Sequence, residues 1–508
     1  MDWHMTATSS EPGRCRPRGL RIGVRLAFLP IAALLLSGCV GGGSVGTRDA
    51  VVNPTEAPQA VGSSNLHVPT AFDQARGWQS DQRQRVFTVA PMAGVFIDLS
   101  AQENPTEGAS PLAGPPSSDA SADPATQLPA VIARKADDGT VLWSSKPLGP
   151  LSAQRTPELH VISTEGGEYV VVVRRGVVPP AGIARSRDLL VVDSFPVSAE
   201  GRDVAPTAHL EREVTGGLDN AVAAVGDGGV LFPGTADGNG TAQEGALWDP
   251  FTGAVSPVAV GAPVTRSCST KRSGCTVQDV PVLPTAAGVL TTEQPASDEL
   301  RFGIPGRWTS ASIAPHGANR GRVIQVVGGT VLIGWYHDND GSTVYALHDL
   351  TTGDLLVSAA CDIGVASNSG SPPELTALSS PEGRYVAVGS LLFDLSARTA
   401  QCYSGDKTTR GVLFAALTDS GTAYGTLRDD QDDTPDPVTV NTSTKAIDRL
   451  PEGTQLPDFV TRGGVGLFTV VGDQHNGTAV STAFLLPPAV PGAPLPATPA
   501  SPSPVAAR

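Results

Sequence analysis

Ala346-Leu347-His348-Asp349-Leu350-Thr351-Thr352-Gly353 and Ala246-Leu247-Trp248-Asp249-Pro250-Phe251-Thr252-Gly253 are two copies of one pattern: an apolar strand, an aspartate, a short turn closing on Thr-Gly, then another apolar strand. Looser copies lie at 133–143 (ARKADDGTVLW), 189–195 (LLVVDSF), 391–399 (LLFDLSART) and 438–446 (VTVNTSTKA). Asp and Thr side chains hydrogen-bond turn amides, and Gly supplies the positive φ of a tight turn. With Lys135, Asp193, Asp249, Gly303, Asp349, Asp394, Asn441 and Leu486 taken as the aspartate-equivalent positions, the copies recur about every 45 to 58 residues. Asp249, Asp349 and Asp394 therefore read as turn residues rather than catalytic carboxylates.

Strand-like runs separated by Gly, Asp, Asn and Pro turns fill 86–486, and none of them holds a helical period over a dozen residues. A repeat of this length made of four short strands is a β-propeller blade. The fold class is all-β, a propeller of eight blades. Seven is the alternative, because the repeat around 300–308 is weakly written. The last repeat, 459–486, lacks an outer strand, and 72–78 can supply it, since an open edge invites association.

The copy ARKADDGTVLW keeps the Ala133, Gly139 and Trp143 of an A-x-D-x-x-T-G-x-x-x-W pattern, with Lys135 and Asp138 replacing Asp and Thr. In this the chain resembles propellers with pyrroloquinoline-quinone-like repeats. The copies at Asp249 and Asp349 keep Asp and Thr-Gly but place Pro257 and Val357 where the pattern has Trp. The resemblance covers about 78–487 and bears on fold more than on chemistry. Quinone-dependent dehydrogenases of that group resemble one another in an adjacent Cys-Cys pair, which is absent here, and six tryptophans are sparse for a repeated aromatic signature. No cofactor is expected.

Arg14, Arg16, Arg18, Arg21 and Arg25 precede an apolar run, 26–36, that ends on Leu36-Ser37-Gly38-Cys39. The charged start and short apolar run have the form of a secretory signal, and the run is too short to span a bilayer as a helix. The closing tetrapeptide resembles the lipobox of bacterial lipoproteins, and the chain as a whole resembles an actinobacterial lipoprotein with a propeller domain. That resemblance implies a lipid-modified Cys39 as first mature residue, and more than one acyl chain suffices for stable anchoring. The expected organisation is a signal peptide over 1–38, a flexible tether over 39–66, the propeller over 67–487 with a disordered insertion near 102–127, and a disordered Pro/Ala-rich tail over 488–508. The expected location is the cell membrane, facing the extracytoplasmic side.

The formal net charge is −15, and removing the leader's five arginines against Asp2 and Glu11 leaves the mature chain near −18. Such a chain would repel nucleic acid and anionic headgroups. Hydrophobic residues make up 40% and aromatics 5%, so the core is built mainly of Val, Leu and Ala. Beyond Cys15 and Cys39, four cysteines remain in an oxidising compartment. Cys268 and Cys275 share one loop, RSCSTKRSGC, and Cys361 with Cys402 would bridge neighbouring repeats. The paired short spacings of a four-cysteine zinc site are missing, so no metal centre is expected.

Between the second and third strands of several repeats run polar, acidic loops at 235–244, 337–342, 428–436 and 473–478. They mark one face as the candidate binding surface for a protein or envelope partner. Asp237-Gly238-Asn239-Gly240 and Asp338-Asn339-Asp340-Gly341 resemble pieces of calcium loops, but neither continues into the full ligand spacing, and the same residues are common in hairpin turns. The only G-x-S-x-G match, Gly42 to Gly46, falls in the tether, and there is no H-E-x-x-H. His67, His160, His209, His316, His337, His348 and His475 are dispersed. The sequence thus favours a non-catalytic, anchored binding module. A solute-binding protein or enzyme with its site in the central channel is the alternative.

Overall fold

The computed structural model describes residues 66–486 and the strand Gln59–Ala60, apart from 81–85, 100–128, 153, 165, 179–184, 215–217, 219–222, 233–243, 269–270, 295–300, 319, 338–341, 364–375, 406–408, 429–435 and 472–479. Eight sheets follow one another along the chain, each beginning with an inner strand and stepping outward antiparallel. This is the eight-bladed propeller. Blade 1 is Phe87–Ala90, Val95–Leu99, Val131–Lys135 and Val141–Ser145; blade 2 is Glu158–Thr164, Gly167–Val178, Arg187–Pro196 and Ala208–Glu213. Blade 3 is Ala224–Gly226, Gly229–Phe232, Gly245–Trp248 and Val255–Val258; blade 4 is Lys271–Thr285, Gly288–Gln294, Phe302–Ile304 and Trp308–Thr309. Blade 5 is Arg320–Val327, Thr330–Tyr336, Thr343–Asp349 and Leu355–Ala360; blade 6 is Ala377–Ser379, Tyr385–Val388, Leu391–Asp394 and Thr399–Cys402. Blade 7 is Gly411–Leu417, Thr422–Arg428, Asp436–Asn441 and Ile447–Arg449. The weakly written fourth repeat is a complete blade, which rules out seven.

Blade 8 joins the two ends of the propeller. Its first three strands, Phe459–Val460, Gly466–Val471 and Val480–Leu486, come from the C-terminal part, and its outer strand is Asp73–Ser80, paired antiparallel so that Trp78 faces Phe484. Within the stretch read as tether, Gln59–Ala60 adds a fifth strand to that blade. Leu66, also read as tether, is buried against blades 7 and 8, so the tether ends before it. The expected leader, the other tether residues, the 102–127 insertion and the tail lie outside the described residues. The only α-helix among the described residues is the single turn Ser310–Ile313.

Each blade is sandwiched between two others, so its middle strands are buried on both faces and alternate residues serve different interfaces. In blade 1, Val95, Ile97 and Leu99 pack with Leu159, Val170 and Val172 of blade 2, whereas Phe96 packs with Trp78, Leu467 and Phe484 of blade 8. The same layering joins blades 5 to 6, 6 to 7 and 7 to 8.

The third-to-outer turns behave as their residues dictate. Asp349 accepts hydrogen bonds from the Thr351 and Thr352 amides, both 2.8 Å, and Gly353 has φ 78°. Asp249 holds Phe251 N at 2.8 Å and Thr252 Oγ1 at 2.7 Å, with Gly253 at φ 74°. Asn441 accepts from the Ser443 and Thr444 amides, and the glycine position is taken by Lys445, at φ 63°. In blade 6, Asp394 accepts from Ser396 and Ala397, with Arg398 at φ 51°. The Asp193 alignment was displaced: that residue lies inside its strand, three positions before Pro196, and is not a turn residue.

Three tryptophans serve one interblade purpose. Trp78 Nε1 of blade 8 donates to the Ala136 carbonyl of blade 1 (2.9 Å), Trp143 Nε1 of blade 1 to Val197 of blade 2 (3.1 Å), and Trp308 Nε1 of blade 4 to Leu350 of blade 5 (2.9 Å). Each lies on an outer strand and reaches the third-to-outer turn of the next blade. Where the pattern lacks Trp, Val357 packs into the interface of blades 5 and 6.

Candidate functional site

Strand direction sorts the connections onto two faces. First-to-second and third-to-outer turns share one, called the turn face. Second-to-third loops and the links between blades share the other, the loop face.

The turn face is stitched together by short-range polar bonds. Glu168 of blade 2 accepts from the Ala93 amide (2.7 Å) and the Met92 amide (3.3 Å) of blade 1, and Asp227 of blade 3 accepts from Ser163 N of blade 2 (3.3 Å). Asp419 of blade 7 accepts from Glu382 N of blade 6 (3.0 Å). Arg462 of blade 8 bonds through its amide to Pro91 of blade 1 (3.2 Å) and pairs through Nε with Glu382 of blade 6 (2.7 Å). Burial raises the Glu168 carboxyl, an effect reduced by the two amides it accepts from. These carboxylates are occupied in holding blades together.

Blade 2 carries a dense charged cluster. Arg174 and Arg175 are consecutive on one strand and so point to opposite faces of the sheet. On one face Asp193, 3% exposed, accepts from Arg174 Nη2 (3.2 Å) and faces His209 Nδ1 (2.6 Å), while Arg174 Nη1 donates to the Gly149 carbonyl (2.7 Å). On the other, Arg175 Nη1 donates to Glu158 Oε1 (2.8 Å), and His160 Nε2 lies 3.5 Å from Glu158 Oε2. Burial pushes the Glu158 carboxyl up, but the His160 hydrogen bond and the Arg175 charge outweigh it, leaving it below the ordinary carboxylate range.

Glu158 and His160 open the inner strand of blade 2, at the loop-face end. Asp279 lies on the inner strand of blade 4, and Arg320 and Arg322 open that of blade 5. Inner strands line the channel of a propeller, so groups of both signs stand toward its loop-face mouth. In blade 1, Asp98 is fully buried with Arg134 Nε 3.8 Å away; burial outweighs that cation and pushes the carboxyl up to about 7.

Chemically, His209 has one ring nitrogen fixed by Asp193 and is 47% exposed, with Glu211 Oε1 3.6 Å from its other nitrogen. Among the described residues no hydroxyl or thiol hydrogen-bonds to it, and no group of three His, Cys, Asp or Glu side chains could hold a metal ion. Asp193 and His209 were visible in the sequence, but as a turn residue and a dispersed histidine. The signal for their pairing was charge inside apolar runs: Arg174 follows four valines, and Asp193 sits in LLVVDSF.

Cys361 follows the outer strand of blade 5, Cys402 ends that of blade 6, and the two are joined in a disulfide with α-carbons 5.5 Å apart. Cys268 and Cys275 lie on two arms of a hairpin, Val264–Cys268 against Lys271–Thr285, and their side chains lie outside the described residues. So do Cys39, both calcium-like tetrapeptides, and most of the acidic loop residues.

No family model matches the chain. No curated protein matches it either. Among solved structures it is similar to the β-propeller domain of the trilobed protease from Pyrococcus furiosus, at 12% identity over 62% of this chain and 91% of that one, with a TM-score of 0.26. It is also similar to TolB from Acinetobacter baumannii, at 10% identity over 62% of this chain and 79% of that one, with a TM-score of 0.20. Likeness at this identity concerns the fold alone.

Proposed function

We propose that the chain is a membrane-anchored, extracytoplasmic lipoprotein whose propeller is a non-catalytic binding or scaffolding module, with the loop face as its binding surface. The observation that carries the reading is the division of labour between the faces. Turn-face carboxylates are committed to interblade bonds, as Glu168, Asp227 and Asp419 illustrate. The loop face carries the connections that differ most in length and composition, from the two-residue Gly389-Ser390 turn of blade 6 to the acidic 429–435 stretch of blade 7. Variable loops on a rigid scaffold are where binding residues concentrate. Leu36-Ser37-Gly38-Cys39 supports the anchor.

Two measurements test this. Mass analysis of the N-terminal peptide should find Cys39 diacylated or triacylated, and Cys39→Ser should move the chain from membrane to soluble fraction; an unmodified Cys39 rejects the anchor. Affinity capture with the intact chain should lose its partner when 429–435 is replaced by Gly and Ser and keep it in Arg462→Ala. Equal loss from both would reject the loop face.

A solute site at the channel mouth is the second reading, favoured by Glu158, His160, Asp279, Arg320 and Arg322 on inner strands. Ligand screening by thermal shift would separate it from the first, because His160→Ala and Arg322→Ala would abolish a solute-induced shift.

A further inference from the structure

We propose that the outer edge of blade 5, Leu355–Ala360, receives an extended segment of a partner protein, flanked by basic residues, as a fifth strand. The unpaired amides and carbonyls of an edge strand make it a template for another chain, and proteins blunt such edges with charge, proline, short length or an added strand. Seven blades here do so. Blade 1 carries Gly201–Val204, a segment of blade 2, parallel on its outer strand, and blade 8 carries Gln59–Ala60. Blade 2 ends in Glu211, Arg212 and Glu213, and blade 7 has Asp448 and Arg449 in a three-residue strand. Blade 3 has Pro257, blade 4 has two residues, and blade 6 has only four.

The sequence LLVSAA in blade 5 has none of these devices. It is six residues long, uncharged and free of proline, and among the described residues no strand pairs with its outer side. Leu355 is 47% exposed, and Ser358 and Ala360 are exposed as well. One end is held by the Cys361–Cys402 disulfide and the other by the Asp349 turn. The edge is therefore rigid before any partner arrives. Blades 1 and 8 show that outer edges of this molecule accept an added strand in either direction.

Charge decides between occupants. Exposed Asp354 and Asp362 bracket the strand. A second copy paired antiparallel about Ser358 would bring Asp354 of one molecule opposite Asp362 of the other, between chains each carrying −15. Like charges across strands are destabilising, and opposite ones stabilise. A segment with Lys or Arg at both ends of an apolar-polar alternation meets both aspartates. This surface lies on the rim, apart from the loop face, and the inference does not depend on anchoring.

The test uses the purified full chain and three synthetic peptides: Lys-Val-Thr-Val-Thr-Val-Thr-Val-Lys, whose lysines are spaced like Asp354 and Asp362, the same core with Glu at both ends, and the Lys-ended peptide with Pro replacing its central Thr. Hydrogen exchange reads protection at 355–360, and fluorescence anisotropy reads affinity. The Lys-ended peptide should slow exchange there, and should bind about tenfold more tightly than the Glu-ended one, as two cross-strand charge pairs predict. Ser358→Lys with Ala360→Lys, both at exposed positions, should abolish the protection while leaving the melting temperature in place. Absence of protection by the Lys-ended peptide, equal affinity of both charged peptides, or binding that survives the two lysines overturns the proposal. So does a dimer, seen by sedimentation, that those lysines dissociate, since it would assign the edge to a second copy.

Discussion

Removing the indole of Trp78 should open the ring at its one non-sequential junction. Trp78 is 3% exposed, stacks on Phe484 with centroids 4.2 Å apart and 9° between planes, and meets Phe96 edge-on at 6.0 Å. Its Nε1 is also the donor to Ala136 of blade 1. Trp78→Ala forfeits the buried ring, about 3–5 kcal/mol for a large-to-small core change. Trp78→Phe keeps most of the apolar contact and leaves the Ala136 carbonyl without its donor, about 1–3 kcal/mol. Trp143→Phe removes an equivalent bond between blades 1 and 2, away from the pairing of Asp73–Ser80 with Val480–Leu486, and serves as the control. Urea unfolding followed by tryptophan fluorescence gives the stabilities, and hydrogen exchange gives the location. Both Trp78 variants should accelerate exchange together in Asp73–Ser80 and Val480–Leu486, whereas Trp143→Phe should leave that pair protected. A Trp78→Ala chain less than about 1 kcal/mol weaker than the parent, or faster exchange in Asp73–Ser80 alone, would refute the closure argument.

Four further outcomes are expected. The disulfide closes a loop with a sequence separation of 41, so Cys361→Ser with Cys402→Ser should cost about 4 kcal/mol by the chain-entropy relation, measured as a shift in urea midpoint under oxidising conditions. Asp98, with its folded carboxyl near 7 against an ordinary value of 3.8, binds a proton more readily folded than unfolded, so it lowers stability as pH rises from about 4 to 7; Asp98→Asn should be stabilising at pH 8, by roughly 2–4 kcal/mol, and near neutral at pH 4. At the turn positions, Lys445→Gly should raise stability by about 0.5–1 kcal/mol by relieving its positive φ. Gly353→Ala should lower it by about 2 kcal/mol or more, because an added Cβ would sit 2.6 Å from Ile313 and 2.9 Å from Trp308; thermal melts read both.

What could be read in advance follows from how local each interaction is. The aspartate turns are closed by bonds spanning two or three residues, so the residues that make them sit together in sequence and the repeat announces itself. The closure was legible by counting, because a final repeat with three strands requires a fourth from elsewhere. The tryptophan bonds were not, although Trp78, Trp143 and Trp308 were in plain view: their acceptors lie 58, 54 and 42 residues away, on carbonyls that no side chain identifies. Displacement of the blade 2 alignment has a related cause. Gly201–Val204 leaves blade 2 between its third and outer strands to pair with blade 1, which stretches that repeat and moves its turn beyond Asp193.

The same displacement changes what Asp193 means. As a turn aspartate it would be one of several interchangeable acceptors; as a strand residue it is a buried charge held by Arg174 and His209, in a blade that also supplies Glu158 and His160 toward the channel mouth. A buried carboxylate costs stability unless paired, and removing one partner leaves the other uncompensated. Blade 2 thus carries two arginine–carboxylate–histidine arrangements on opposite faces of one sheet. Fixing Arg174 on one face also fixes the strand that presents Arg175 to Glu158 on the other. The charged mouth of the channel and the interface with blade 1 are therefore mechanically one unit, and any ligand that engages Glu158 or His160 works against a strand already clamped from behind.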